Sequence, residues 1–265
     1  MKQIVSAMEL VSVVKMQKAV ARDLKSRQFA EAGSDLLTRV CDGVDPDTHP
    51  LLMPRTAKKK LAVVIASDRG LCGSLNTHIL KKAIALAQEG ETDFIAIGKT
   101  SRDFLVNHKY SVIASYLGFG DNLTFERILP IIQQITNEYL ANNYSKVEIV
   151  YTHFNSSLSQ APITLQLLPF QLKSCDINTG NMIFDPDKAD LTSQIIPRML
   201  EIQLWQCLLE SAASEHSARM VAMKNANENA EDLAFDLNLS YNQTRQAGIT
   251  SEITEISAGK MTLEE

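Results

Sequence analysis

SEHSARMVAMKNANENAEDLAFDLNLSYNQTRQAGITSEITEI, residues 214–256, decides the fold. No proline occurs from Arg198 to Ala258, and no glycine before Gly248 in that span. Met223, Ala226, Ala230, Leu233, Leu237, Ser240, Thr244 and Ala247 recur at alternating steps of three and four. That is the stripe of a helix packed on another helix. A run this long without caps predicts a coiled coil rather than an ordinary globular helix of ~8–20 residues. At ~1.5 Å per residue it would be on the order of 90 Å long. A compact domain of 100 residues has a radius of gyration of only ~13 Å. The helix must therefore protrude, and something must cover its stripe. Small side chains dominate that stripe, with large ones only at Met223, Leu233 and Leu237. Small seam residues allow close approach but bury little area, at roughly 25 cal/mol per Å². The expectation is a shaft only moderately stable by itself and held by a surrounding partner.

The rest of the composition narrows the class. The chain has 265 residues, 45% hydrophobic and 22% charged, which is ordinary for a globular protein. No apolar run approaches the ~18–20 residues needed to span a bilayer. The amphipathic, charge-bearing first thirty residues do not read as a signal peptide. Cys41, Cys72, Cys175 and Cys207 are isolated, which argues against a zinc site or a disulfide framework. The five histidines show no metal-ligand spacing, so surface or structural roles are expected for them. The net charge of −5 hides an asymmetry. Residues 1–30 carry six basic groups against two acidic, and residues 198–265 carry five against eleven. Ends of opposite sign favour antiparallel pairing, although each exposed pair contributes only ~0–1 kcal/mol.

Residues 1–40 read as a second long helix, with Ile4, Ala7, Met8, Val11 and Val14 on one stripe. Lys15, Lys18, Arg22 and Lys25 share another face. That face is either a solvated surface or a contact for an acidic partner. Nucleic acid is a poor fit, because the chain is acidic and no aromatic residues interleave with these lysines and arginines. Gly43, Pro46, Pro50 and Pro54 then mark a linker. Short apolar runs at 61–67, 93–97, 111–117, 146–154 and 162–170 predict five strands. Prolines bracket the last one and place it at a sheet edge. Helices are expected at 76–88, near 101–107 and at 123–141. Alternation of strand and helix predicts a small parallel or mixed sheet, with the long helices lying outside it. Residues 171–194 read as a loop with a turn at Asp185-Pro186. The long helix is expected to begin near Ser193 or Gln194, with Pro197 in its first turn.

SDRGLCGSLN, residues 67–76, lies where a strand meets a helix, the place where α/β proteins bind phosphate. It fits neither G-x-G-x-x-G nor the P-loop pattern and lacks the P-loop lysine. A tight turn presenting Asp68 and Arg69 is the expectation. Neither a Ser-His-Asp arrangement, H-E-x-x-H, nor a paired catalytic carboxylate spacing is visible. Two alternatives stay open from residues alone: a nucleotide-binding α/β enzyme with helical arms, and a helical scaffold.

SEHSARMVAMKNANENAEDL (214–233), YNQTRQAGITSEITEISAG (241–259), SDRGLCGSLN and AMELVSVVKMQKA (7–19) together resemble the gamma subunit of F-type ATP synthases, and HPLL (49–52) is similar to that family's linker. The resemblance covers nearly the whole chain. It implies an α/β fold: a long antiparallel coiled coil of N- and C-terminal helices with an inserted small α/β, Rossmann-like domain. The implied divisions are a helix over 1–42, a linker over 43–60, the α/β domain over 61–192 and a helix over 193–265. The implied function is the central-stalk rotor, coupling transmembrane ion flow to ATP synthesis or hydrolysis and regulating both. The chain would hold no catalytic site, cofactor or metal. Its partners would be the alpha and beta subunits, epsilon and the ring of c subunits. Its place would be peripheral, on the cytoplasmic face of the bacterial membrane. Contacts with beta are implied at Met8, with Arg245 and Gln246 opposite it, and at Asp68, Arg69 and Cys72. Thr250, Glu252 and Glu255 belong to the signature near the shaft tip, and Lys15 and Lys18 would face acidic loops of beta. The sequence departs from the family where Lys260 follows Gly259, a position usually held by a small residue.

Overall fold

Leu61, Val63 and Ile65 alternate with Ala62 and Val64 along one strand, and both sets are buried. A strand apolar on both faces needs a layer on each side, and that requirement organises the molecule. The computed structural model describes residues 2–40, 49–120, 123–171 and 188–263. Helix α1 spans Lys2–Val40, followed by β1 (Lys60–Ile65), α2 (Leu75–Gln88), β2 (Thr92–Ile97), α3 (Lys99–Asn107) and β3 (Val112–Tyr116). A 3-10 turn (Phe125–Ile128) leads into α4 (Leu129–Leu140), then β4 (Lys146–Phe154), β5 (Gln160–Leu168) and α5 (Lys188–Leu263). The sheet order is β3-β2-β1-β4-β5. The first four strands run parallel, and β5 closes the edge antiparallel to β4.

Ala62, Val64, Phe94, Ala96 and Val150 face a layer made by α2 and α3. Leu61, Val63, Ile65, Ile95 and Ile149 face α4 and the first turns of α5. This corrects the expectation that the long helices lie outside the sheet body. Ile196, Met199, Leu200, Leu204, Cys207 and Leu208 repeat on one side of α5 and are all buried. The shaft is thus one layer of the α/β unit over its first part. At 76 residues, α5 is ~114 Å long at ~1.5 Å per residue.

Two boundaries differ clearly from the sequence reading. Residues 123–128 are not α-helical. In an α-helix the Pro130 ring would meet the carbonyl of Glu126, so the chain enters by a 3-10 turn and α4 starts at Leu129. Helix α5 begins at Lys188 rather than Ser193, with Pro197 in its interior. Proline there costs roughly 3 kcal/mol. Burial of Ile196 and Met199 on either side of it offsets that cost. The expected turn at Asp185-Pro186 lies outside the described residues.

Gly98 ends β2 with φ +98°, and a Cβ there would lie 2.0 Å from the Ala66 carbonyl oxygen. Only glycine lets the β2–α3 turn approach the end of β1 so closely. Gly33 of α1 similarly lets Met199 of α5 in, its Sδ being 3.0 Å from where a Cβ would stand.

Helices α1 and α5 pair antiparallel. Gln206 Nε2 donates to Asp23 at 2.7 Å, and Arg27 lies 3.7 Å from Glu210. The pairing stops well short of the end of α5. Met223 is buried, and Ala226 and Ala230 are half-buried. Every side chain from Glu231 to Ser257 is exposed. Leu233 and Leu237 of the predicted stripe are 60% and 62% exposed. A second apolar stripe also stands free: Phe235, Leu239, Ile249, Ile253 and Ile256. It lies roughly opposite the first, since an offset of two residues rotates ~200° around a helix.

Candidate partner-contact surface

Where strand order reverses, between β1 and β4, open α/β sheets normally bind their ligands beyond the carboxyl ends of the strands. Here α5 fills that crevice. Leu208, Ser211, Ala212 and Glu215 of the shaft, with Phe119, close over Ser67 and Thr152 and leave about 30 Å³. That space suits a single water, not a nucleotide.

The loop after β1 is held from several sides. Asn76 Nδ2 donates to Ser67 Oγ at 2.6 Å and to Cys72 Sγ at 3.2 Å. Ser67 Oγ donates to the Arg69 carbonyl at 2.7 Å. The Asp68 carboxylate accepts the Lys99 amide at 3.0 Å and the Gly120 amide at 3.3 Å. It thereby ties the loops after β1, β2 and β3 together. Leu71 sits in the left-handed region, φ +64°, with its side chain 60% exposed. From the shaft, Arg219 donates to the Arg69 carbonyl at 3.2 Å and the Gly70 carbonyl at 3.4 Å, and it pairs with Glu215 at 2.6 Å. Glu215 and Arg219 are a readable i, i+4 pair, yet nothing local to them points to the loop they hold.

These groups line one open cleft with the first turns of α1: Met8, Lys15, Asp68, Arg69, Leu71 and Lys99 share it. The structure therefore brings together four of the residues expected to touch a partner. Lys18 continues the same wall as an exposed neighbour. Cys72 belongs to the same loop but is only 2% exposed and turns inward onto Ser67 and Asn76. Arg245 and Gln246 are not opposite Met8, which instead shares its cleft with His216 and Arg219. Arg245 lies ~39 Å beyond Arg219 at ~1.5 Å per residue, on the exposed tip with Thr250, Glu252 and Glu255. There the Thr250 hydroxyl bonds back to the Gln246 carbonyl at 2.9 Å.

A family model described as ATP synthase matches residues 1–263. An ATP synthase gamma chain of Pelotomaculum thermopropionicum is 37% identical over 266 residues, covering 99% of this chain and 94% of the relative. The chain belongs to the ATP synthase gamma chain family. A gamma chain of Amoebophilus asiaticus is 38% identical over 269 residues, covering 97% of this chain and 92% of the relative.

The fold is that of solved members. The central stalk of Tetrahymena thermophila mitochondrial ATP synthase superposes with a TM-score of 0.66 at 24% identity, over 84% of this chain and 99% of that one. A chain of the Euglena gracilis mitochondrial ATP synthase, from its OSCP/F1/c-ring structure, gives 0.69 at 18% identity, over 98% of this chain and 89% of that one. No helix among the described residues of this gamma chain is long and apolar enough to cross a membrane.

Proposed function

We propose that the chain is the central-stalk rotor of a membrane F-type ATP synthase, a subunit without a catalytic site of its own. The observation that carries this reading is the uncovered tip of α5, apolar on two opposite faces over residues 231–257. A single helix with large exposed apolar residues on both sides fits a sleeve better than one flat partner. The alpha and beta subunits supply that sleeve, and epsilon and the ring of c subunits hold the other end. Rotation presents a different side of the shaft to each beta subunit, which shifts its catalytic site between states by differential contact. Occupation of the switch-point crevice by α5 supports the non-catalytic role.

The cleft carrying Met8, Lys15, Asp68 and Arg69, with Lys18 beside it, meets an acidic loop of beta. In the same reading Cys72 holds the shape of the loop from within, while Arg245, Gln246, Thr250, Glu252 and Glu255 act at the tip. The complex sits on the cytoplasmic face of a bacterial membrane.

The test is to assay the purified chain with and without alpha and beta subunits. The chain alone is expected to hydrolyse no ATP, and it should co-purify with them as a complex that does. Hydrolysis by the single chain, abolished by Asp68→Asn, would contradict the proposal.

A further inference from the structure

Helices α1 and α5 and strand β4 meet at one polar node away from the cleft. Asp23 of α1 is fully buried and accepts from Arg27 Nη2 at 3.1 Å and Gln206 Nε2 at 2.7 Å. The same Gln206 nitrogen donates to Glu210 at 3.1 Å. The other Glu210 oxygen accepts from His153 Nδ1 of β4. Glu210 is nearly buried, while Arg27 and His153 are each about one-third exposed. Tyr151 of β4 and Cys207 of α5 lie beside the carboxylates. Burial drives both well above their ordinary values, so neither carries charge near neutral pH. The remaining titratable or permanently charged groups facing the node are Asp23 and Arg27 from α1, His153 from β4 and Glu210 from α5.

Two carboxylates against one guanidinium leave a buried charge of minus one. One further proton brings the node to neutrality. Burying an unbalanced charge is costly, so docking of the two helices on β4 is linked to that proton. We propose that this node is a proton-operated latch: α1 and α5 are fully seated on the sheet when the node holds the extra proton, and α1 loosens when the proton leaves. One proton suffices for the whole hydrogen-bonded cluster, so it is counted for the node rather than for one residue.

Burial holds the Asp23 carboxyl above its ordinary 3.8, opposed by Arg27 and aided by Glu210. A group raised in the folded state contributes stability that is present below its ordinary value and lost as pH rises through the folded one. The latch therefore tightens toward acid and weakens toward alkali. It does not depend on the rotor reading, since every member belongs to this chain.

The test is hydrogen exchange of the α1 amides around Asp23 in the full-length chain, corrected for intrinsic exchange, from about pH 4 to about pH 8.5, a span that begins at the ordinary carboxyl value and runs upward. The wild type is expected to lose about tenfold in protection across that range. Asp23→Asn balances the node without the proton, as does Glu210→Gln. Either should give slow exchange at every pH. Trp205, the one tryptophan, stacks edge-on against Phe125 and shares a groove with Phe29 of α1. Its fluorescence should follow the same titration. Wild-type protection that does not vary with pH would overturn the latch. So would loss of protection at all pH values in whichever of the two neutralised variants folds.

Discussion

In the isolated chain the amides of residues 231–257 are expected to exchange within seconds, and assembly with alpha and beta subunits should slow them by roughly 10³-fold or more. Every side chain in this segment is exposed, so tertiary packing gives it nothing. Single helices are marginal in water even with good helix formers, and Asn238, Ser240, Asn242, Thr244 and Gly248 are poor ones. Thr244, Thr250 and Thr254 return their hydroxyls to carbonyls four residues back, which satisfies the hydroxyls and adds little stability. A partner that binds only the ordered helix at 1,000 times its Kd contributes ~4 kcal/mol, and that corresponds to the thousandfold protection. By contrast the amides of α5 near Leu204 and Leu208, buried against the sheet, should be protected before assembly. Equal exchange of the tip in the two states would mean that nothing encloses it.

Arg245→Ala is expected to reduce ATP-driven ion pumping per ATP hydrolysed severalfold, with hydrolysis itself largely kept. Arg245 is exposed on the tip, and alanine is the better helix former. The substitution should therefore shift the stability of the chain by no more than ~0.5 kcal/mol. What it removes is a planar, permanently charged fork that can hold a carboxylate or carbonyls at one angle of the shaft. Losing such a grip lets the shaft slip relative to the catalytic sites, so hydrolysis outruns pumping. The measurement is pumping and hydrolysis in the same reconstituted vesicles. Proportional loss of both, or of neither, would remove Arg245 from the coupling path.

The sheet was legible because buried parallel strands leave short Val- and Ile-rich runs, and 146–154 matches β4 residue for residue. Boundaries next to prolines were not. Pro130 and Pro197 act through a clash whose outcome depends on what the neighbouring side chains bury, and that is a tertiary fact. The shaft stripe was legible as a period, but the sequence reading followed the small-residue face of the tip. Phe235, Leu239, Ile249, Ile253 and Ile256 form an equally regular face, interrupted by Asn242 and Gln246, and those two polar residues hid it. The cleft draws on residues near 8, 68, 118 and 216, so no local window contains it. The same holds for the node: Asp23, His153 and Glu210 are each unremarkable in their own stretch and meet only because α1, β4 and α5 stack.

The central claim is that this chain turns inside a collar that stays still. Leu158, at the tip of the β4–β5 hairpin, is 80% exposed, so Leu158→Cys offers a site for a rigid optical marker far from the shaft's free end. With the alpha and beta subunits fixed to a surface, the marker should rotate in one direction on addition of ATP, with three equal dwells per turn. ATP hydrolysis by the same complexes with the marker stationary would contradict it.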